Sequence, residues 1–255
     1  DPATGDTTHD IEDRRIGVGR GRTCVGAVGH RAALVFTGCQ QGGTKAVAVV
    51  RLLTGLFMTD AYIVSALRTA GGRRGGRLAG WHPVDLAATL IDGLVARSKA
   101  PPDTIDDVIL GCVGQVGEQA ANVARNAVLA SGLPESVPGT SVDRQCGSSQ
   151  QALHFAAQAV MSGTMDIVIA GGVESMTRVP MGTPLTLARK ADMGIYMSPG
   201  IRQRYADTEL FSQFEGAEMV AAKYGIERAA LDEFALESHQ RAIRATQTGA
   251  FDDEI

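Results

Sequence analysis

The sequence predicts an α/β protein with a largely parallel sheet covered on both faces, and two observations lead to that prediction. From Met58 onward, short apolar runs of strand character alternate with longer segments of helical periodicity. Strands separated by helices form parallel sheets with helices packed on their faces. Second, residues 150–161 place apolar side chains most of the way round a helix, and such a helix is buried.

The first elements follow Met58 directly. Ala61-Tyr-Ile-Val-Ser-Ala-Leu67 is an apolar run that predicts a strand over 61–67, and the loop over 68–82 is rich in Gly and Arg. The alternating pattern then predicts the remaining elements of this region in chain order: a helix over 83–98, a strand over 107–113, a helix over 119–131, a strand over 138–144, a helix from about Gln150 to Met161, and a strand over 166–172.

Residues 177–216 predict irregular structure, because Val179-Pro-Met-Gly-Thr-Pro-Leu185 and Met193-Gly-Ile-Tyr-Met-Ser-Pro-Gly200 show no clear periodicity. Two helices are expected after them, over 214–224 and 228–248, and Gly249 provides a stop for the second.

Length and composition restrict the class of protein. With 255 residues, 44% apolar and 20% charged, the chain can form one large globular domain or two small ones. A net charge of −4 without a basic face argues against a nucleic-acid partner. No apolar run reaches about 18 residues, so no membrane association is expected. Four scattered cysteines form neither a disulfide framework nor a metal-binding pair, which favours a reduced, cytoplasmic setting and no metal site.

Cys146 is the candidate nucleophile. It lies where Thr140-Ser-Val-Asp143, of strand character, gives way to the helix, at or just before the helix N-terminus. Unpaired backbone N–H groups and the helix dipole at such a position stabilise a thiolate and can activate a cysteine for covalent catalysis. The competing interpretation is a small buried residue, because most free cysteines have no reactive role.

The histidines do not supply a base for this cysteine. His154 follows Cys146 by eight residues, which is ~12 Å along one helix, whereas a general base must lie within roughly 3 Å. We expect His154 to be packed or hydrogen-bonded within a buried helix, and His82 and His239 to lie at the surface. Cys112 is expected in the core because it ends an apolar strand.

Several blocks, in the right order, resemble the N-terminal half of a thiolase. They are Ala61-Tyr-Ile-Val-Ser-Ala-Leu-Arg-Thr69, Asp106-Asp-Val-Ile-Leu-Gly-Cys-Val113, Gln119-Ala-Ala-Asn-Val-Ala-Arg125, Ser141-Val-Asp-Arg-Gln-Cys146-Gly-Ser-Ser149, Asp166-Ile-Val-Ile-Ala-Gly-Gly-Val-Glu-Ser-Met176 and Tyr224-Gly-Ile-Glu-Arg228. The cysteine block by itself is shared with other condensing enzymes, whereas the ordered set is specific.

The resemblance implies a thiolase-type layered fold, with the Cys146 helix between two sheets, and a two-step acyl transfer. Cys146 would attack a 3-ketoacyl-CoA or acetyl-CoA and become acylated, and free CoA or a second thioester would take the acyl group. No permanently bound cofactor is implied, since CoA thioester is substrate. In this family the activating histidine, an acid–base cysteine and an oxyanion-hole histidine belong to the C-terminal half, and the complete protein is a homodimer or homotetramer.

Three regions follow from the resemblance. Residues 1–57 are expected to be a non-family extension, poorly ordered except for a short helix or strand near 46–56, with Met58 as the natural start. Residues 58–176 would be the α/β half, and residues 177–255 the loop domain that covers CoA. The C-terminal half is expected to be absent, so the isolated chain would be inactive and poorly soluble or self-associating.

Substrate length and two other functions remain open. Short-chain biosynthetic thiolases carry a His-Met-Gly run where this chain has Ser212-Gln-Phe-Glu-Gly216, which favours a degradative enzyme, as in fatty-acid β-oxidation, acting on a longer or bulkier 3-ketoacyl-CoA. Met193, Met197, Phe211 and Phe214 are either lining residues of an acyl pocket or ordinary packing residues. The alternatives are another thioester-condensing enzyme, such as a ketoacyl synthase or hydroxymethylglutaryl-CoA synthase, and an inactive fragment acting as an interaction module.

Overall fold

A computed structural model describes residues 60–255 in full, together with the backbone of 31–35 and 45–52. The strands are β1 (Arg31–Val35), β2 (Lys45–Leu52), β3 (Asp60–Arg68), β4 (Asp107–Gly111), β5 (Gly139–Val142) and β6 (Ile167–Gly172). The helices are α1 (Pro83–Ser98), α2 (Val123–Ala130), α3 (Ser148–Ser162), α4 (Thr183–Lys190), α5 (Pro199–Arg204), α6 (Gln213–Tyr224) and α7 (Arg228–Gln247).

The α/β class is confirmed, and its parallel core is β5-β4-β6. β4 lies between β5 and β6 and runs parallel to both. Strand β2 pairs antiparallel with β6 over Ala46–Val50 and also pairs antiparallel with β3, which makes the sheet mixed. Strand β1 pairs antiparallel with β2 and has short parallel pairings with β3 and β6.

Of residues 1–57, which are predicted to be a poorly ordered extension, the structure describes two backbone segments. Near 46–56, where a short helix or strand is expected, the backbone forms strand β2. Strand β1 is an element that the sequence did not suggest. The rest of residues 1–57 lies outside the described residues, so their predicted poor order stays a prediction.

The sheet carries a separate core on each face, as alternation along β4 requires. Val108 and Leu110 pack with α1 and α2, in a cluster whose fully buried members include Ile91, Leu94, Val123, Val128 and Ile169. Ile109, between them, points to the other face and packs with Ala152, Ala156 and Val160 of α3. The catalytic candidate is therefore attached to a helix held against the sheet by its own apolar layer.

Helix α3 is buried on one side only, which is the state expected for this helix when the covering layer of the C-terminal half is missing. Ala152, Ala156 and Val160 recur at four-residue spacing and are fully buried, whereas Phe155 and Met161 are each 41% exposed. The small residues let the helix approach the sheet closely, and the large apolar residues lie on the uncovered side.

Two other predictions need adjustment. The helix predicted over 119–131 begins at Val123, because Asn122 takes a left-handed φ of 64° and caps the helix by accepting from Arg125 N–H at 3.2 Å. The region 177–216 is not irregular throughout, since it contains α4 and α5. Ser198 caps α5 by accepting from Ile201 N–H at 3.3 Å. Proline near the start of each helix suits that first turn.

The segment after α7 returns to the sheet. Arg68 N–H donates to the Glu254 carbonyl at 2.7 Å, and the Arg68 guanidinium pairs with the Glu254 carboxylate at 2.7 Å. The same guanidinium lies 4.8 Å from the ring centre of Phe251. Residues 177–255 thus leave the sheet after β6 and come back to it beside the end of β3.

Candidate active site

The carboxyl ends of three parallel strands lie level at one edge of the sheet. Gly111 at the end of β4 is in register with Val142 of β5 on one side and with Gly172 of β6 on the other. In open α/β sheets, ligands bind outside this edge. The turns that follow the three strands therefore define the candidate site.

Cys146 lies on the turn between β5 and α3, two residues before the first helical residue, where the sequence predicted it. Its side chain is exposed, and Gly147 is the residue that precedes the helix. The exposure contradicts the competing interpretation of a buried packing residue. A thiol in this place can meet a carbonyl carbon that approaches from solvent.

Two glycines let the start of α3 sit directly on the sheet. A Cβ at Gly111 would lie closer than 3.0 Å to the backbone of Ser148 and Ser149, and a Cβ at Gly172 would come equally close to the Ser149 side chain. Real side chains do not approach to that distance. The paired glycines thus set the depth of α3, and with it the height of Cys146 above the sheet edge.

A polar brace joins the turns after β4 and β6. The Glu174 carboxylate accepts from Val113 N–H at 2.7 Å, from Gly114 N–H at 3.2 Å and from the Gln119 amide at 2.8 Å. Gln119, which is fully buried, also donates to the Gly114 carbonyl at 2.8 Å and accepts from Ser175 N–H at 2.7 Å. A buried amide and a half-buried carboxylate whose hydrogen bonds are satisfied in this way make the edge rigid.

Cys112 lies in the core, as predicted, and is unsuited to nucleophilic chemistry. Its side chain is 1% exposed. Burial, together with the neighbouring Glu174 carboxylate, raises the pKa of the Cys112 thiol far above its usual value. Of the two cysteines among residues 60–255, only Cys146 is accessible.

The three histidines of residues 60–255 lie where none of them serves as a base for Cys146. His82 caps α1, where its Nδ1 accepts from Val84 N–H at 3.3 Å, and its Nε2 lies 3.9 Å from Glu118. His154 is exposed on α3, so the expectation that it is packed within a buried helix is wrong. His239 is exposed on α7, as predicted. Within residues 60–255, no hydrogen bond joins a histidine to Cys146.

The four residues considered for an acyl pocket differ in burial. Met197 is 4% exposed and serves as a packing residue. Met193 and Phe214 are largely exposed. Phe211 is half-exposed and meets Tyr205 edge-on, with ring centres 5.1 Å apart.

Sequence reasoning missed the residues that support Cys146: Asp143, Ser148, Gln119 and Glu174. Each lies within a segment whose apolar pattern or cysteine carries the sequence signal, and that signal assigns no role to the polar positions. The useful signal is the occurrence of Glu174 two residues after a buried strand, because a polar side chain in that position needs partners.

Two negative findings apply to the part of the chain that the structure describes. No cluster of three or more His, Cys, Asp or Glu side chains there could hold a metal ion. None of the helices in that part combines the length and apolar character that a membrane crossing requires.

Comparison with known proteins gives one consistent family. Residues 61–255 match the family described as the N-terminal domain of thiolase. The chain is 48% identical over 206 residues to the steroid 3-ketoacyl-CoA thiolase FadA6 of Mycobacterium tuberculosis, an overlap that covers 79% of the chain and 50% of that relative.

Two further relatives agree. A beta-ketoadipyl-CoA thiolase of Escherichia coli is 43% identical over 208 residues, covering 78% of the chain and 51% of the relative. A 3-ketoacyl-CoA thiolase of Pseudoalteromonas translucida is 44% identical over 200 residues, covering 78% of the chain and 49% of the relative. The chain spans about half the length of the curated relatives it matches.

Proposed function

The chain belongs to the thiolase family, and from that premise we propose that it supplies the nucleophile half of a CoA-dependent acyltransferase, with Cys146 as the residue that becomes acylated. The observation that carries the proposal is the exposed Cys146 thiol on the β5–α3 turn, at the sheet edge where α/β proteins bind ligands. The family relationship supports the reaction class, and the exposed position of the thiol supports the choice of Cys146.

The proposed reaction has two steps, and its bonds balance. In thiolysis, the Cys146 sulfur attacks the keto carbon of a 3-ketoacyl-CoA, and the bond between that carbon and its neighbour on the CoA side breaks. The released carbon takes a proton and leaves as acetyl-CoA. The thiolate of a second CoA then attacks the acyl–Cys146 thioester, which frees the cysteine and forms a shortened acyl-CoA.

The half of the family that lies beyond the matched region is expected to contribute the remaining chemistry. The resemblance assigns an activating histidine, an acid–base cysteine and an oxyanion-hole histidine to that half. Phe155 and Met161 are exposed on α3, the helix that follows the nucleophile, and they offer an apolar face that the second half could cover. We therefore propose that residues 1–255 alone are inactive and that activity needs the second half.

The substrate class is proposed to be a 3-ketoacyl-CoA with a longer or bulkier acyl group than acetoacetyl. This chain has Ser212-Gln-Phe-Glu-Gly216 where short-chain biosynthetic thiolases carry a His-Met-Gly run, and that difference supports the proposal. The three relatives carry names that refer to steroid 3-ketoacyl-CoA, beta-ketoadipyl-CoA and 3-ketoacyl-CoA.

The remaining features of the complete protein are proposals of the same kind. They are a degradative role such as fatty-acid β-oxidation, a cytoplasmic location, a homodimer or homotetramer, and no permanently bound cofactor. Four cysteines without a disulfide pattern support the location.

Turnover by a completed chain tests the proposal. The 255-residue chain would be extended by the half of the Mycobacterium tuberculosis relative that lies beyond the matched region, and CoA-dependent loss of a 3-ketoacyl-CoA would be measured. We expect turnover in this fusion and a loss of at least about a thousandfold in Cys146→Ser, since an unactivated hydroxyl is a far weaker nucleophile. Cys112→Ser is the matched control and should retain activity. Equal turnover by the parent and Cys146→Ser fusions would reject the assignment.

A further inference from the structure

The turn that carries Cys146 contains a backbone conformation that its sequence does not favour. Gln145, immediately before the cysteine, has a φ of 48°. This is the left-handed region, which residues with a Cβ other than Asn and Asp rarely occupy and which glycine occupies freely. Such a conformation persists only where surrounding contacts determine it.

Two side chains provide those contacts, one from each side of the turn. Asp143 Oδ1 accepts from the Gln145 N–H at 2.7 Å. Ser148 Oγ accepts from the Arg144 N–H at 2.9 Å and donates to the Gln145 carbonyl at 2.5 Å. The Ser148 hydroxyl therefore hydrogen-bonds to both Arg144 and Gln145, the two residues that precede Cys146.

Ser148 is itself held firmly. The residue is 4% exposed, and its backbone lies against Gly111 with no room for an additional Cβ between them. The Ser148 N–H donates to the Gln145 carbonyl at 3.0 Å, and the Gly147 N–H donates to the Arg144 carbonyl at 3.1 Å. The start of α3 thus fixes the hydroxyl, and the hydroxyl fixes the turn.

We propose that Ser148 is a positioning residue for the nucleophile: its buried hydroxyl keeps Gln145 left-handed and so holds Cys146 exposed at the sheet edge. The inference rests on the proposed function, because it concerns how the acylated residue is presented. Asp143 supports the same turn from the strand side. Ser148 transfers no proton in this scheme and touches no substrate.

The experiment uses the fusion described above and removes the hydroxyl. Ser148→Ala should lower kcat for thiolysis by about tenfold, the effect of about one hydrogen bond to a positioned group, while KM for the CoA thioester stays within about twofold. Adding Gln145→Gly to Ser148→Ala should restore at least about a third of the lost rate, because glycine adopts the left-handed conformation without strain. A residue that only stabilised the fold would not show this rescue.

The matched control is Ser162→Ala at the other end of the same helix. Its hydroxyl donates to the Ala159 carbonyl at 2.9 Å and is exposed, so kcat should not change. Unchanged kcat in Ser148→Ala, or no rescue by Gln145→Gly, would overturn the proposal.

A second readout separates this proposal from the proposed function. In the unextended 255-residue chain, amide exchange of Arg144 should accelerate by about tenfold in Ser148→Ala and not in Ser162→Ala, because the Arg144 N–H donates to the Ser148 hydroxyl. A parent fusion without turnover would reject the thiolase activity. Unchanged exchange in Ser148→Ala would reject the role of Ser148 in holding the turn, whatever the turnover.

Discussion

The candidate site depends at the residue scale on side chains that are small or absent. Gly111 and Gly172 are in register on neighbouring strands, and each lies against the first residues of α3. A methyl group at either position would push the helix start away from the sheet. The depth of α3 on the sheet is thus set by two residues with no functional group.

Gly111→Ala should lower the free energy of unfolding by about 2 to 3 kcal/mol, the usual cost of forcing an extra carbon into a packed core. The matched control is Gly216→Ala, on exposed helix α6, where a Cβ meets no atom within 4 Å and alanine favours the helix. Urea unfolding of both variants checks the prediction. Equal stabilities would show that α3 is not seated on Gly111.

Asp107 provides a pH-dependent test at the same scale. It is 7% exposed, and its Oδ1 accepts from the Val108 N–H at 2.7 Å. Burial raises the pKa of the Asp107 carboxyl above its usual value. Because the folded state then holds the proton more tightly, this group's stability contribution is present below the unfolded pKa of about 3.9 and is lost as pH rises through the folded pKa.

Asp107→Asn should therefore raise the melting temperature at pH 7 and have a smaller effect near pH 3.5, since asparagine keeps the acceptor and removes the buried charge. Thermal unfolding followed by circular dichroism across pH 3.5 to 7 measures the difference. A variant that was less stable at pH 7 would contradict the sign derived from the raised pKa.

At the scale of elements, strand β2 pairs within the sheet, although the sequence pattern predicted only a short helix or strand in this region. It lies outside the region that matches the family, yet it pairs with β6, β1 and β3. Each N–H along such a strand faces a neighbouring strand, and proline cannot donate there.

Val49→Pro should consequently destabilise the sheet by about 3 kcal/mol or more, whereas Val49→Ala, which keeps the N–H, should cost clearly less. Chemical denaturation followed by far-UV circular dichroism compares the two variants with the parent. If the proline and alanine variants unfolded at the same denaturant concentration, Val49 would not be part of a central ladder.

Much of this architecture was predictable from periodicity, and the exceptions have physical causes. Helix α1 has the predicted bounds because its apolar spacing is regular and Pro83 opens it. Helix α2 starts late because Asn122 is left-handed, which the apolar pattern does not indicate. The Glu174–Gln119 brace joins residues 55 positions apart, and such pairing depends on the sheet register. The location of Cys146 on the turn before α3 was predictable because a strand, a cysteine and a helix follow one another locally.

For the whole molecule, the helices after β6 leave apolar side chains uncovered. Helices α6 and α7 contain no buried residue, and Phe214 and Phe234 are 80% and 77% exposed. Exposed apolar patches of this kind promote association.

The 255-residue chain should therefore self-associate at micromolar concentration, and Phe214→Ser with Phe234→Ser should weaken the association at little cost in stability, since neither ring is packed. Sedimentation velocity at several concentrations measures both. A monodisperse monomer at all concentrations would contradict this expectation.

The central claim is that Cys146 receives the acyl group, and mapping the acylated residue tests it most directly. The fusion would be mixed with acetyl-CoA, quenched in acid and digested, and its cysteine peptides analysed by mass spectrometry. The proposal predicts an acetyl group on the peptide containing Cys146, none on the peptide containing buried Cys112, and no acetyl group at position 146 in Cys146→Ser. Acylation at another residue, with Cys146 unmodified during turnover, would contradict it.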